Sequence, residues 1–497
     1  MRLGSRVEVV RGRRLGALGR RALPCLAILL AVLSVRGAER ELVAEAPRGE
    51  LALVGESRLR IDDARGVVRV RGGDEGVIRF LSTTVGDSSH EIPVTLTSDG
   101  TTLFVGGEGE SVERDLWVAV PAGFTVAIEI DAGKVALSDV AAGISVRGKD
   151  VDLVVRRMEG DLEVAIEGGA VRGSAVIGDV DVSGGSLVVD LSEVDGGVDL
   201  TAQDSQVRVV TVGGGADLRV VNTPVVLGPI TGSLTLDARG GTAEIQGLRG
   251  GGEFHLEGTP LTVTDSEGVV TADTDAEVRL ENIAGEGGAV HVRGMGSRVR
   301  GFGIKTSLDV VTDNAGVVLE NVDGRVGIQG SGLDVRLKSM HGELALALSG
   351  SGVDIENASA AVSVHNEMGD VLIRDTRDTV VVRNRLGNVS VRQAQGAVEI
   401  EVQDGDVDVE WTAVPRSRNS LVRTENGDVD LTIAGTAGWR IDARTRRGRI
   451  ASDHPDVRVS DDGEFASSVA RGARGVTLKV DCDGDLSIHS GGTAPSR

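Results

Sequence analysis

The chain has 497 residues, 71 of them Gly and none Tyr, and a formal net charge of −22. That length accommodates several globular domains or one extended repeat array. The acid excess argues against nucleic acid and anionic lipid headgroups as partners, which such a surface repels over a Debye length, and suits cationic partners or divalent ions.

Residues 1–38 read as an export signal. An Arg-rich stretch ends at Arg20-Arg21, an apolar run from Ala22 to Val35 comes next, and small residues stand at Gly37 and Ala38. This is the n-, h- and c-region order of a secretory leader. The apolar run falls short of the ~20 residues a spanning helix needs; retained uncleaved, the segment would be a membrane anchor instead. Cys25, just after Pro24, lies too early in the run for a lipoprotein cleavage box. Residues 1–38 carry eight Arg and one Glu, so without them 45 basic and 74 acidic residues remain, a net charge of −29. Cys482 is then the only cysteine, which excludes an intramolecular disulfide and a thiolate metal site.

Residues 39–115 contain strand-like segments without a regular repeat and are expected to cap the N-terminal end of a repeat array. Over 116–411 the chain reads as short Val-rich strands with the period of two of a half-buried strand, as in Asp161-Leu162-Glu163-Val164. A repeat of 18 residues is strict from Val317 to Val409. The pair Val317/Leu319 returns as Val335/Leu337, Val353/Ile355, Val371/Ile373, Val389/Val391 and Val407/Val409. A second apolar pair lies nine residues later, as in Val326/Ile328, Leu344/Leu346 and Val362/Val364. A fixed period of this length predicts an all-β fold, a parallel β-helix or solenoid with about 18 residues and two main short strands per coil. Each coil is expected to hold two strands of four to five residues, with polar corners at Asn321, Ser339, Asn357, Asp375 and Gln393 and Gly-containing corners between. Judged by glycine spacing, the beat is looser upstream: Gly160 and Gly178 are 18 apart, but Gly252, Gly268 and Gly288 drift. Room exists for roughly 16 coils, a rod on the order of 75 Å.

Pro415 and its charged neighbours break the pattern at 412–420. Trp411 stands where the strict repeat ends and is expected to cover the last regular coil. Residues 421–490 resume as variant coils or a small cap, which an open coil end requires. Residues 491–497 read as a disordered tail.

The segment Leu116-Trp117-Val118-Ala119-Val120-Pro121-Ala122-Gly123, with Gly133-Lys134-Val135-Ala136-Leu137 after it, resembles bacterial adhesin-like β-strand-repeat proteins, whose domain is formally one of unknown function and is related to auto-transporter adhesin heads. That family repeats a strand ending in Val-Pro-x-Gly and then short Asn-Gly-Asp-Val units. Here the units read Glu425-Asn426-Gly427-Asp428-Val429, Asp483-Gly484-Asp485-Leu486 and Asp404-Gly405-Asp406-Val407. The likeness spans about residues 50 to 490. It implies an exported, right-handed β-helix-like domain at the cell envelope, with no catalytic residue and no cofactor.

The residues themselves offer little chemistry. The seven histidines form no helical zinc pair, and no nucleophile elbow occurs. Gly143 to Asp150 nearly matches a phosphate loop but ends in Asp where magnesium needs a hydroxyl. Asp481 to Leu486 is similar to a calcium loop but lacks Gly at the sixth position and Glu at the twelfth, which is Gly492. Three Trp and six Phe, widely separated, form no sugar-stacking platform. The candidate surface is an acidic stack: Asp334, Asp370, Asn388 and Asp406 share one coil position, with Asp354 and Asp408 two residues on. Carboxylates one strand spacing apart repel unless neutralised, so they would bind a divalent cation, act as acid and base on a glycan, or simply serve as solvated corner residues.

Taken together, these features describe an exported, non-enzymatic solenoid acting as a structural or adhesin-like interaction module at the bacterial envelope, in the periplasm, on the cell surface or secreted. It would recognise a protein or a surface polymer and need no cofactor. Two alternatives are a β-helix carbohydrate-active enzyme, a lyase or hydrolase using the stacked Asp residues, and an envelope-stress component binding a membrane regulator.

Overall fold

The computed structural model describes residues 41–53, 55–106, 113–285, 288–415, 418–434, 438–468 and 476–491. The expected leader at 1–38 and tail residues 492–497 lie outside them; Gly491 ends the last strand, Leu486–Gly491. Every regular element among the described residues is a β-strand. The strands stack in parallel about 18 residues apart into a solenoid of about 17 turns, a rod of roughly 80 Å at about 4.8 Å per coil.

The coil is built from inward alternation. In 344–361, Leu344, Leu346 and Leu348 point inward from the strand Leu344–Ser349, and Val353 and Ile355 from Gly352–Ala358. Each full burial of such a side chain contributes about 1.5–3 kcal/mol, and a one-residue slip would turn the whole set outward. Stacking therefore fixes register: Leu344 pairs with Val362, Val362 with Val380, and Val380 with Val398.

The expected polar corners bend the second strand rather than ending it. Asn321, Ser339, Asn357, Asp375 and Gln393 occupy one coil position with φ between 53° and 60°. This left-handed bend turns Val322, Met340, Ala358, Thr376 and Ala394 inward as a further buried position. Such a backbone costs roughly 1–2 kcal/mol per residue and is mildest for Asn and Asp. Strands of the expected four to five residues occur at Ala243–Gln246, Leu261–Thr264, Val270–Thr274 and Val407–Trp411, but most downstream strands are longer, as in Leu344–Ser349 and Gly352–Ala358. Upstream, single strands run through a corner, as in Thr125–Val140, Gly143–Glu159 and Leu162–Ile177.

The upstream coils are as regular as the downstream ones. Val126, Ile144, Leu162, Val180, Val198, Ala216, Leu234, Gly252 and Val270 pair in unbroken succession. Up to Gly252 glycine spacing misleads, because a corner accommodates Gly at several adjacent positions whereas inward side chains must stack; the 20-residue step from Gly268 to Gly288 marks a real insertion, matched by Val270 pairing with Val290. Irregularity is confined to short stretches: Val270 pairs with Val290, Val278 with Val299, and Val407 with Val429.

Both ends depart from chain order. The strand Arg58–Gly72, inside the expected cap, already belongs to the stack: it pairs in parallel with Thr125–Val140 on one edge and with Thr102–Gly106 and Arg114–Val120 on the other. Antiparallel strands complete the cap, Val94–Ser98 on Thr102–Gly106 and Val77–Thr84 on Arg114–Val120. At the other end, Val476–Cys482 lies between Ser420–Asn426 and Trp439–Thr445. The chain thus lays down an outer coil first and returns to fill the gap. Trp411 does not face an end: it is 1% exposed and meets Trp439 edge-on, ring centroids 5.4 Å apart.

Two glycines calibrate the tolerance of the corners. Gly387 has φ +124°, and a Cβ there would come 2.4 Å from the Gly369 carbonyl oxygen; Gly352 has open space around it. Gly387→Ala is expected to lower the denaturation midpoint measurably and Gly352→Ala to leave it within about 0.5 kcal/mol of wild type. Ile355→Ala, at a fully buried position, should cost about 2–5 kcal/mol by chemical denaturation.

Candidate functional site

The outward positions of the first strand in each coil form columns one strand spacing apart. One column runs Thr201, Arg219, Asp237, His255, Asp273 and, farther along, His365, Arg383, Glu401, Arg423. The next outward column holds Gln203, Val221, Arg239 and Glu257, then Glu367, Arg385, Gln403 and Glu425. Two cavities lie on these same columns: one of about 860 Å³ around Arg219, Asp237 and His255, bounded at one end of the axis by Gly184 and Gly185, and one of about 440 Å³ around His365, Arg383 and Glu401. Basic and acidic side chains stand side by side within them. Arg219 contacts Asp217 at 3.1 Å, His255 lies 3.3 Å from Glu253 and 3.6 Å from Asp273, and Arg383 lies 3.2 Å from Glu401. Exposed pairs of this kind add little stability, but they set a fixed pattern of donors and acceptors along an open face.

The predicted acidic stack lies on the second strand of each coil. Asp334, Gly352, Asp370, Asn388 and Asp406 occupy one column. Asp370 Oδ1 accepts from the backbone N–H of Asn388 at 2.8 Å, Asn388 Oδ1 from Asp406 N–H at 2.9 Å, and Asp406 Oδ1 from Asp428 N–H at 2.9 Å. The ladder continues through Asp428 to the N–H of Asp485, and through Asp485 to that of Arg449. Asp334 is tied to Arg336 at 2.8 Å, Asp354 to Arg374 at 2.8 and 3.0 Å, and Asp408 to Ser390 and Arg392. These oxygens receive corner N–H groups and guanidinium donors, the pairing that lets carboxylates sit one strand apart.

A second acidic column, not anticipated from the sequence, lies on the first strand: Glu163, Asp181, Asp199 and Asp217. Arg147 meets Glu163 at 2.8 Å and Arg219 meets Asp217, leaving Asp181 without an ion pair among the described residues. Burial, then the charges of Asp199 and Glu163, raise the Asp181 carboxyl above its usual range.

The near-motifs find ordinary structural places. Gly143 to Asp150 lies within the unbroken strand Gly143–Glu159 and so makes no phosphate loop. Asp483 faces Arg446 and Arg447, and Asp485 receives the Arg449 N–H. Cys482 is buried, its thiol 3.5 Å from the Gly484 carbonyl oxygen and pushed up to about 11, mainly by burial. His291, His341 and His489 each lie beside Asp carboxylates. No group of three or more His, Cys, Asp or Glu side chains able to hold a metal occurs among the described residues.

Periodicity could not single out the groove residues, because outward positions are the ones that vary from coil to coil. The available signal was alternation of sign at the repeat spacing, as in Arg219/Asp237 and Arg383/Glu401.

Asp406→Asn keeps the acceptor of the ladder and is expected to match wild type in denaturation midpoint, while Asp406→Ala should lose about 1 kcal/mol. Asp181→Asn is expected to raise stability at neutral pH. A raised folded-state pKa means that stability falls as pH rises from the unfolded toward the folded pKa, so the variant's advantage should vanish on acidification below the usual carboxylate range. Paired unfolding curves at the two pH values measure this.

No protein-family model, no curated protein and no solved structure matches this chain.

Proposed function

We propose that this chain is an exported, non-enzymatic solenoid that serves as a structural or adhesin-like interaction module at the bacterial cell envelope. The observation that carries this reading is the open outer face of the first sheet, where two shallow cavities occupy the same columns many coils apart, at Arg219–His255 and at His365–Arg423. A face repeating its spacing at every coil suits a protein strand or surface polymer bound through many weak contacts, which together give useful avidity. The stacked Asp residues proposed as acid and base in the enzymatic alternative are engaged by backbone N–H groups and arginines, which fits a supporting role for them. The resemblance in the Val-Pro-x-Gly and Gly-Asp-Val phrases points the same way.

The immobilised protein is expected to retain a specific component of the native envelope. The doubly reversed Arg219→Glu/Arg383→Glu variant should lose it while keeping the wild-type melting temperature. Retention unchanged in that variant would place the interface elsewhere. Release of new reducing or unsaturated ends from acidic or neutral polysaccharides, abolished in Asp370→Ala or Asp406→Ala, would overturn the non-enzymatic reading.

A further inference from the structure

Charge is not spread evenly along the rod. Residues 150–285 hold 24 Asp and Glu against 8 Lys and Arg, and residues 351–411 hold 12 against 5, but residues 288–350 hold 6 against 7. The acid excess is interrupted by a belt of three to four coils, roughly 15–20 Å along the axis.

Within this belt lies a cavity of about 670 Å³, at the corner where the chain enters the second strand of the coil. It lies on a different face from the two cavities described above. Three successive coils build it. Arg298 and Arg300 belong to the first; Gly316 and Val318 stack on them, since Val299 pairs with Val317; Asp334 and Arg336 stack on those. Gly316, with Gly332 and Gly350 at the corner, leaves open the space between Arg298 and Asp334, while Val318 stands between Arg300 and Arg336. A Cβ at Gly316 would come 3.8 Å from Arg298 Nε, so this guanidinium reaches over the glycine. Arg300 is held by Glu277 at 3.2 Å and Arg336 by Asp334 at 2.8 Å; Arg298 has no carboxylate partner among the described residues. Guanidinium groups from two levels of the stack thus line one glycine-floored notch, with one of them unneutralised. Planar, permanently charged Arg donors match the oxygens of sulfate, phosphate or carboxylate.

We propose that this notch binds one compact oxyanion, a sulfate, phosphate or carboxylate group, through Arg298, Arg300 and Arg336. The flanking acidic coils restrict the ligand. A continuous polyanion longer than the belt would run into like charge on both sides, so the group is a free ion or a single substituent on an otherwise uncharged molecule. Asp334 competes for Arg336 and sets the affinity from within the site.

Calorimetric titration of the intact chain at low salt, with inorganic sulfate and with a monosulfated neutral disaccharide in parallel, tests this. Saturable binding of either supports the site; equal affinities assign it to the free ion, and tighter binding of the disaccharide assigns it to a substituent. Arg298→Ala should bind roughly tenfold more weakly, the loss expected for one charge-assisted hydrogen bond. Asp334→Asn should bind severalfold more tightly because it frees Arg336, an outcome that a merely structural role for the pair would not give. Arg172→Ala, many coils upstream on the strand Leu162–Ile177, should leave binding unchanged. Absence of saturable heat with both ligands, equal weakening by Arg298→Ala and Arg172→Ala, unchanged or weaker binding in Asp334→Asn, or polyphosphate binding far more tightly than sulfate would overturn the proposal.

Discussion

Every feature of this molecule depends on one constraint: equivalent residues of neighbouring coils must share a column at the spacing of adjacent strands, about 4.8 Å. Inward columns satisfy it with Val, Leu and Ile, which pack on their own kind. Several polar columns satisfy it by passing hydrogen bonds along the axis. The Asp370, Asn388, Asp406, Asp428 and Asp485 ladder does so through backbone N–H donors. Ser205 and Thr223 do so at another corner, where Leu187 N–H donates to Ser205 Oγ and Ser205 N–H to Thr223 Oγ1. Inside the core, Asn366 donates to the Ser351 carbonyl and Asn384 to the Gly369 carbonyl, each in the preceding coil. A charge therefore has meaning here only with its neighbours up and down the column.

The same constraint makes the ends a hazard, since a terminal coil offers unpaired strand edges and apolar core. The chain answers at both ends by leaving stack order. Arg58–Gly72 is covered by strands that come later in the chain, and Val476–Cys482 enters between coils already laid down. Antiparallel strands then replace the repeat, so no further coil is templated. The outer coil at the C-terminal end is rich in Arg: the Arg446 and Arg447 guanidinium groups meet Asp483, and the Arg449 backbone N–H donates to Asp485.

Variety in such a rod belongs to the outward columns, where stacking tolerates it. The first sheet presents basic and acidic side chains above shallow cavities, and the second presents an arginine notch within an otherwise acidic length. Both are open and polar, the first repeated along the axis and the second bracketed by acidic coils.

The all-β class, the coil length and the inward residues of Val317 to Val409 were legible in the sequence, because burial on every coil forces the same residue types to recur at the same interval. The acidic positions Asp334, Asp370 and Asp406 were legible as a column for the same reason, but what they do was not. A carboxylate that accepts a corner N–H and one that faces solvent look alike until the backbone of the next coil is in place. The regularity of the upstream coils was hidden because glycines there shift among corner positions while the stacked side chains hold register. The exchange of chain order at the ends, the groove at Arg219 and Arg383, and the notch over Gly316 were decided by tertiary structure alone. Each depends on which coils lie side by side, and a period specifies neighbours only while chain order and stack order agree.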